Sequence, residues 1–159
     1  MTDELAAFGP FFAVVLQHNS PVPPWQPMTE LVDDPAVLTA RVQRVRAALA
    51  ANWQRGPDQI DRQVAASVAH LGLVARLVAP MIGAATLGEP VAWPLSDLAW
   101  QDQLGGPFPL SVSVPPTAGV PAVEALTEAF GLFGVSRKVL WGNVGSAANS
   151  AAQQISRAR

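Results

Sequence analysis

Three residues near the C-terminus combine types and spacing that could form a ligand-binding site. Arg137, Trp141 and Gly145 follow one another at intervals of four, so they would lie in one line along a helix. A guanidinium can stack on an indole ring, a glycine leaves a gap beside it, and Lys138 adds a second positive charge. Such a surface could accept a planar or anionic small molecule. The alternative is that the glycines only let a neighbouring helix approach Trp141.

Two polar residues, His70 and Arg76, interrupt an otherwise apolar segment from Val64 to Pro80. His70 could act as a general base or as a haem ligand, and Arg76 could bind an anion or assist acid–base chemistry. A catalytic histidine needs an orienting partner, and no acidic residue lies at helical spacing from His70. The alternative is a histidine that is hydrogen-bonded in the core. Gln63, Ser67 and His70 share one narrow arc of the predicted helix, whereas Arg76 lies well away from it.

The segment that carries His70 and Arg76 is predicted to form a central helix buried on most sides, because apolar residues occur all round it. Pro80 is expected to end or kink this helix, since proline removes a backbone donor. Around the central helix we predict about five helices and a small β-hairpin. The predicted fold class is therefore mainly α, or α+β, in a single domain spanning residues 1–159. The hairpin strands are expected at residues 98–101 and 108–114, where the SVSV stretch alternates with period two.

Capping residues predict where two further helices begin. Asp34 followed by Pro35 combines an N-cap side chain with a proline at the first helical position, and this helix is predicted to run to about Asn52. Ser136 is expected to cap the last helix. In the first of these helices, the predicted buried stripe consists of Leu38, Val42, Val45 and Leu49. Its arginines are predicted to form a solvated face: Arg41, Arg44 and Arg46.

The composition excludes several classes of function. The chain has 159 residues, half of them apolar and 14% charged, which suffices for one core. Its formal net charge of −2 provides no basic field for a nucleic acid. With no cysteine and two histidines it offers no thiolate or cluster site, so we predict no metal and no cofactor. The acidic start lacks the basic segment of a signal peptide, and we expect a cytoplasmic protein without a membrane span.

Three stretches of the sequence carry a resemblance to a known family. They are AASVAHLGLVARLVAP at residues 65–80, LGGPFPL at residues 104–110 and SRKVLWGNVGSA at residues 136–147. Together they resemble the FhuF-like ferric-siderophore reductases of high-GC bacteria, and LAAFGPFF at residues 5–12 fits the same pattern. The similarity covers nearly the whole chain in the same order. Family members usually continue into a cysteine segment whose thiolates hold a 2Fe–2S cluster, which passes an electron to the ferric siderophore.

The resemblance implies a helical body that recognises a siderophore but lacks the redox centre, since the chain has no cysteine. We therefore expect a cluster-less relative, or a truncated reductase, that binds a ferric siderophore or a related small metabolite. Two alternatives stay open: a cofactor-independent enzyme that uses His70 or Arg76, and a helical interaction module that forms a homodimer through its last helix. The predicted ligand-binding residues are Trp100, Arg137, Lys138, Trp141, Asn143 and Gly145.

Overall fold

The longest helix of the molecule is the predicted central one, which spans Arg62–Thr86 and is numbered α4. The structure is a computed structural model that describes all residues, 1–159. The other helices are α1 (Thr2–Ala6), α2 (Glu30–Asp33), α3 (Pro35–Asn52), α5 (Ala122–Ala129) and α6 (Arg137–Ala158). Short 3-10 turns lie at Pro57–Gln59, Leu95–Asp97 and Phe130–Phe133. Six helices with one small sheet confirm the prediction of a mainly α fold.

Helix α4 forms the centre of the core, because most of its apolar side chains are covered by neighbouring elements. Leu73 and Val74 are fully buried in its middle, and Ala84 is fully buried near its end. The helix continues through Pro80 to Thr86, so it does not end at Pro80, which was one of the two predicted effects of this proline. Pro80 is itself buried, and packing on the surrounding turns outweighs the missing backbone hydrogen bond. Helix α4 is also long and apolar enough to cross a bilayer, but most of it is buried inside the fold. Core helices can have the same length and composition.

The helix starts follow the capping residues that the sequence provides. The Asp34 carboxylate accepts a hydrogen bond from the amide of Ala36 at 3.0 Å, and α3 ends at Asn52 as predicted. The Asp61 carboxylate accepts from the first free amides of α4. Ser136 caps α6 through its hydroxyl oxygen, which accepts from the amide of Val139 at 3.2 Å. These local hydrogen bonds fix where the three long helices begin.

Helices α4 and α6 pack side by side and run in the same direction. Asn143, early in α6, contacts Ser67, early in α4, whereas Gln154, late in α6, borders the same cavity as Ala79, late in α4. The inner stripe of α6 is buried at Leu140, Ala147, Ala151 and Ile155, with Val144 half-buried. The first third of α6 therefore lies against the part of α4 that carries His70.

The predicted hairpin is the centre of a four-stranded sheet. Its strands are β3 (Leu98–Trp100) and β4 (Leu110–Ser113), which pair antiparallel. Two strands from the N-terminal part flank them: β1 (Val15–Gln17) pairs parallel with β4, and β2 (Gln26–Pro27) pairs antiparallel with β3. The order is β1-β4-β3-β2. The two flanking strands were not predicted as part of this sheet, because each pairs with residues far along the chain.

Candidate functional site

His70 lies in the core between α4, α5 and α6 and is 0% exposed. Its Nε2 atom is 2.9 Å from the hydroxyl of Thr127, and its Nδ1 atom is 3.3 Å from the side-chain nitrogen of Asn143. The ring of Phe130 meets the imidazole edge-on at 5.0 Å between centroids. The structure therefore realises the alternative of a hydrogen-bonded core histidine. A general base or haem ligand would need open space beside the ring, and packed side chains occupy it.

The hydrogen bonds around His70 assign its tautomer. Asn143 donates to the carbonyl of Ser67 at 3.1 Å and also points its amide nitrogen at Nδ1, so Nδ1 accepts. Nε2 then carries the proton and donates to Thr127, whose hydroxyl donates to the carbonyl of Val123 at 2.7 Å. A second proton on the ring would sit on Nδ1, where this N–H donor would face the N–H donor of Asn143. Burial lowers the pKa of His70 from 6.5 to about 4, so the ring is neutral at neutral pH.

Arg76 is 3% exposed and binds three backbone carbonyl groups instead of an anion. Its guanidinium donates to the carbonyl of Phe108 at 2.8 Å, to that of Phe11 at 2.6 Å and to that of Ala13. No carboxylate pairs with it. Burial lowers the pKa of Arg76 from 12.5 to about 10, which still leaves the group charged at neutral pH. Arg76 therefore joins the N-terminal segment and the loop that precedes β4 to the central helix, and its predicted catalytic role has no accessible surface to act on.

The predicted line on α6 does not form a stacked site. Arg137 pairs with Glu128 at 2.9 Å instead of covering the indole of Trp141, which is 37% exposed. A Cβ atom at Gly145 would have no neighbour within 4 Å, so no other helix of this chain approaches there. Lys138 is exposed at the same end of the helix. Neither interpretation of this surface is realised within one chain, and the homodimer through α6 stays a prediction.

Two further residues of the predicted ligand-binding set lie apart from that surface. Asn143 turns inward to Ser67 and His70, as described above. Trp100 is 1% exposed in β3, with the ring of Phe108 edge-on at 5.1 Å. The indole nitrogen of Trp100 is buried without a hydrogen-bond acceptor. The structure therefore separates the predicted set into an exposed face of α6 and a buried centre around Trp100.

That buried centre is organised by Arg41, which is 4% exposed on α3. The prediction that Arg41 belongs to a solvated face is wrong. Its guanidinium lies 5.1 Å from the ring centroid of Trp100 and 5.3 Å from that of Phe108. One terminal nitrogen donates to the carboxylate of Asp102 and to the carbonyl of Gln103. Arg41 therefore holds the loop between β3 and β4 against α3.

The charge of Arg41 is only partly neutralised, and not all of its donors have an acceptor. Asp102 is shared, because Arg44 pairs with its second oxygen. The Nε–H of Arg41 is buried and has no acceptor. Burial lowers the pKa of Arg41, and the hydrogen bond to Asp102 opposes that shift. A buried donor without an acceptor costs about 1–3 kcal/mol, and such a group in a folded protein calls for an explanation.

A cavity of about 240 Å³ lies beside Arg41. Phe11 and Phe108 provide aromatic walls, and Val45 and Val68 provide apolar ones. The remaining wall is backbone, because Gly72, Gly105 and Gly106 border the cavity and have open space where a side chain would begin. Gly105 has φ +89, which glycine adopts readily. We call this space, with Arg41 in its wall, the Arg41 cavity.

A second cavity of about 290 Å³ adjoins the first at Phe11, which borders both. It lies in the groove between α4 and α6, where Leu71 and Ala75 face Ser146 and Ser150. Its lining is mostly apolar and contains no charged residue. Each space lies just below the range of roughly 300–1,000 Å³ that is typical of small-molecule sites. Neither His70 nor Arg76 borders them.

The sequence contained a signal for Arg41 that the charge pattern obscured. Arg41 lies three residues after Leu38 and four before Val45, which is the spacing of the predicted buried stripe. The LGGPFPL stretch supplies the glycines of the cavity wall, but no role was assigned to it. The link between them is Asp102, which lies 61 residues from Arg41 in the chain and has no local signature.

Comparison of the chain with protein-family models, with curated proteins and with solved structures finds no match.

Proposed function

We propose that the chain is a binding protein for a small molecule rich in oxygen acceptors, held in the Arg41 cavity. The observation that carries this proposal is Arg41, a buried guanidinium that borders the cavity and shares its one carboxylate partner with Arg44. Its hydrogen bonds within the chain come from one terminal nitrogen only, which leaves the other terminal nitrogen able to donate to an oxygen atom of a ligand. Hydrogen bonds that involve a charged donor are about twice as strong as neutral ones, so this contact would favour binding.

A ferric siderophore, or a related metabolite, is the ligand class that we propose. Ferric iron prefers hard oxygen donors, so its chelates present many oxygen atoms around an organic frame. The cavity offers one cationic donor at its wall and aromatic faces at Phe11 and Phe108. The adjoining groove between α4 and α6 gives room for the apolar part of such a chelate. The resemblance of LGGPFPL and of residues 65–80 to siderophore reductases supports the same class.

The proposal is one of binding and not of catalysis. The two side chains predicted as catalytic, His70 and Arg76, are occupied by hydrogen bonds inside the core and border neither cavity. The chain contains no cysteine that could hold the cluster of the family it resembles. Recognition is the part of that activity which the residues around Arg41 could still perform.

The test is a titration of the full chain with a ferric trihydroxamate, followed by quenching of tryptophan emission. Gly72→Leu is designed to fill the mouth of the cavity, where a new Cβ meets nothing within 4 Å and leucine favours the helix. Gly145→Leu makes the same change at an equally open position of α6. We expect Gly72→Leu to weaken binding at least tenfold and Gly145→Leu to leave it unchanged.

Two outcomes would contradict the proposal. One is the absence of saturable quenching by the ferric chelate in the wild-type chain. The other is a Gly72→Leu variant that binds as tightly as the wild type. If Gly145→Leu alone loses binding, the site is the exposed face around Trp141 and the proposal for the Arg41 cavity fails.

A further inference from the structure

A separate cavity of about 150 Å³ lies on another side of α3, between this helix and the start of α4. Arg41 and Arg46 are five residues apart, which turns them about 140° from each other around the helix axis. Arg41 faces the cavity described above, and Arg46 faces this one. The lining residues are Thr39, Val42, Gln43 and Arg46 of α3, Arg62 of α4, and Phe133. Two arginines and no carboxylate give this lining a formal charge of +2.

Arg46 is held in place without being neutralised. Its Nε–H donates to the carbonyl of Ile60 at 2.7 Å, and Ile60 is buried immediately before the capping residue of α4. The two terminal nitrogens of Arg46 make no hydrogen bond and no ion pair within the chain. One bond therefore fixes the orientation of the guanidinium, and its outer edge stays available to a ligand.

Arg62 is also unpaired, and its position in the helix adds to the positive field. It is the first residue of α4, where the helix dipole favours an anion and disfavours a cation. The neighbouring Asp61 carboxylate is occupied by the amides of Gln63 and Val64, forms no ion pair with Arg62 and does not border the cavity. The Arg46–Arg62 cavity thus holds two like charges that nothing in the chain compensates.

We infer that the Arg46–Arg62 cavity binds a phosphate group, either free or in a small phosphomonoester. Guanidinium groups match the oxygens of phosphate in two-pronged geometry, and two of them would share the charge of the dianion. The hydroxyl of Thr39 and the amide of Gln43 provide further donors in the same wall. Phe133 is the apolar side on which the carbon part of a monoester could rest. This inference is independent of the proposed function, because the two cavities share no lining residue.

The experiment is a calorimetric titration of the full chain at low ionic strength with inorganic phosphate and, separately, with phenyl phosphate. Arg62→Gln removes one charge from a side chain that has no partner in the fold, so the variant should keep its structure. Arg157→Gln removes the same charge from an exposed arginine that, like Arg62, has no ion-pair partner and lies outside the cavity, so it serves as the matched control. We expect Arg62→Gln to raise the Kd at least tenfold and Arg157→Gln to change it less than twofold.

The two ligands distinguish the source of the phosphate. Tighter binding of phenyl phosphate identifies a monoester that uses Phe133, and equal affinity identifies the free ion; both support the site. The inference is overturned if the wild-type chain shows no saturable binding of either ligand. It is also overturned if Arg157→Gln weakens binding as much as Arg62→Gln, since the effect is then one of overall charge. Gly72→Leu should bind phosphate normally, which separates this result from that of the Arg41 cavity.

Discussion

Two buried arginines lie near the same aromatic ring and differ in how fully their hydrogen bonds are used. The guanidinium carbons of Arg41 and Arg76 lie 5.3 Å and 5.9 Å from the ring centroid of Phe108. Arg76 donates from all three of its nitrogens to backbone carbonyls and borders no cavity described above. Arg41 leaves its Nε–H without an acceptor and lines a cavity. The two arginines are therefore alike in burial and differ in how many of their donors are used and in whether a cavity lies beside them.

The two arginines also differ in how their charge is stabilised. Arg41 has a carboxylate partner, Asp102, although it shares that partner with Arg44. Arg76 has none, and only the dipoles of three carbonyl groups offset its burial. Removing Arg76 leaves three acceptors unpaired, whereas removing Arg41 leaves Asp102 paired with Arg44. The cost of substitution should differ accordingly.

The largest effect is expected for Arg76→Met, which keeps the length of the side chain and removes its donors. The carbonyls of Phe11, Ala13 and Phe108 then lose their common partner, and we expect the free energy of unfolding to fall by about 3–5 kcal/mol. Urea denaturation followed by circular dichroism measures the change. A loss below about 1 kcal/mol would mean that water replaces the guanidinium, and Arg76 would no longer differ from Arg41.

The next largest effect is expected for His70. Like the nitrogens of Arg76, both ring nitrogens of His70 have hydrogen-bond partners, but only while the ring is neutral. Its pKa is about 4 in the folded chain and 6.5 when unfolded, so between these values the unfolded chain binds more protons. The free energy of unfolding should therefore fall as the pH decreases from 6.5 to 4, by about 3 kcal/mol in total from this group. His70→Gln should lack this component, and the difference between the two pH profiles isolates it from the carboxylates. Parallel profiles would show that the ring can accept a second proton in the core.

A smaller loss of stability is expected for Arg41→Met. Asp102 keeps its pair with Arg44, and one donor of Arg41 is unused in any case, so we expect a loss of about 1–2 kcal/mol. Binding of the ferric chelate should nevertheless fall at least tenfold, because the variant removes the donor of the cavity wall. Measuring both quantities on one protein separates stability from recognition. A loss as large as that of Arg76→Met would show that the comparison between the two arginines is wrong.

The smallest effect concerns two glycines of the same helix and has opposite signs. A Cβ at Gly72 meets nothing within 4 Å, so Gly72→Ala should stabilise α4 by about 0.5–1 kcal/mol. A Cβ at Gly83 would lie 2.7 Å from a methyl carbon of Leu5 and 3.1 Å from the ring of Phe12, so Gly83→Ala should destabilise the core by about 1 kcal/mol or more. Thermal unfolding of both variants gives the comparison. Loss of stability in Gly72→Ala would mean that the Arg41 cavity is closed in solution.

Local signals in the sequence predicted the helices that begin with a strong cap. Asp34 and Ser136 each satisfy a free amide within three residues, so the starts of α3 and α6 depend on neighbours in the chain. The sequence left open whether Pro80 ends or kinks the helix, because the cost of a missing backbone bond is a local quantity, whereas the packing that outweighs it comes from the rest of the core. Fold class could thus be predicted, but local signals could not decide where the central helix ends.

The candidate site was predicted poorly because its contacts are long-range. Arg41 meets Asp102 across 61 positions, and Arg76 meets Phe11 across 65. The sequence placed the ligand on the regular Arg137–Trp141–Gly145 spacing, where the structure shows an exposed face with Arg137 turned to Glu128. Trp100 was predicted to bind the ligand, and the structure places it as a buried neighbour of Arg41. Spacing identifies which side chains share a helix face, and it carries no information about which distant loop will cover that face.

The three carbonyl contacts of Arg76 also set an order of events during synthesis on the ribosome. Phe11 and Ala13 are made first, Arg76 follows, and Phe108 is added only after two thirds of the chain exists. Strand β1 can pair with β4 only after a similar number of residues has been made, since Val15 pairs with Ser111. Residues 11–17 are therefore among the last of this fold to dock, and we expect the nascent chain to expose Phe11 and Phe12 to chaperones until Phe108 and Ser111 have been made.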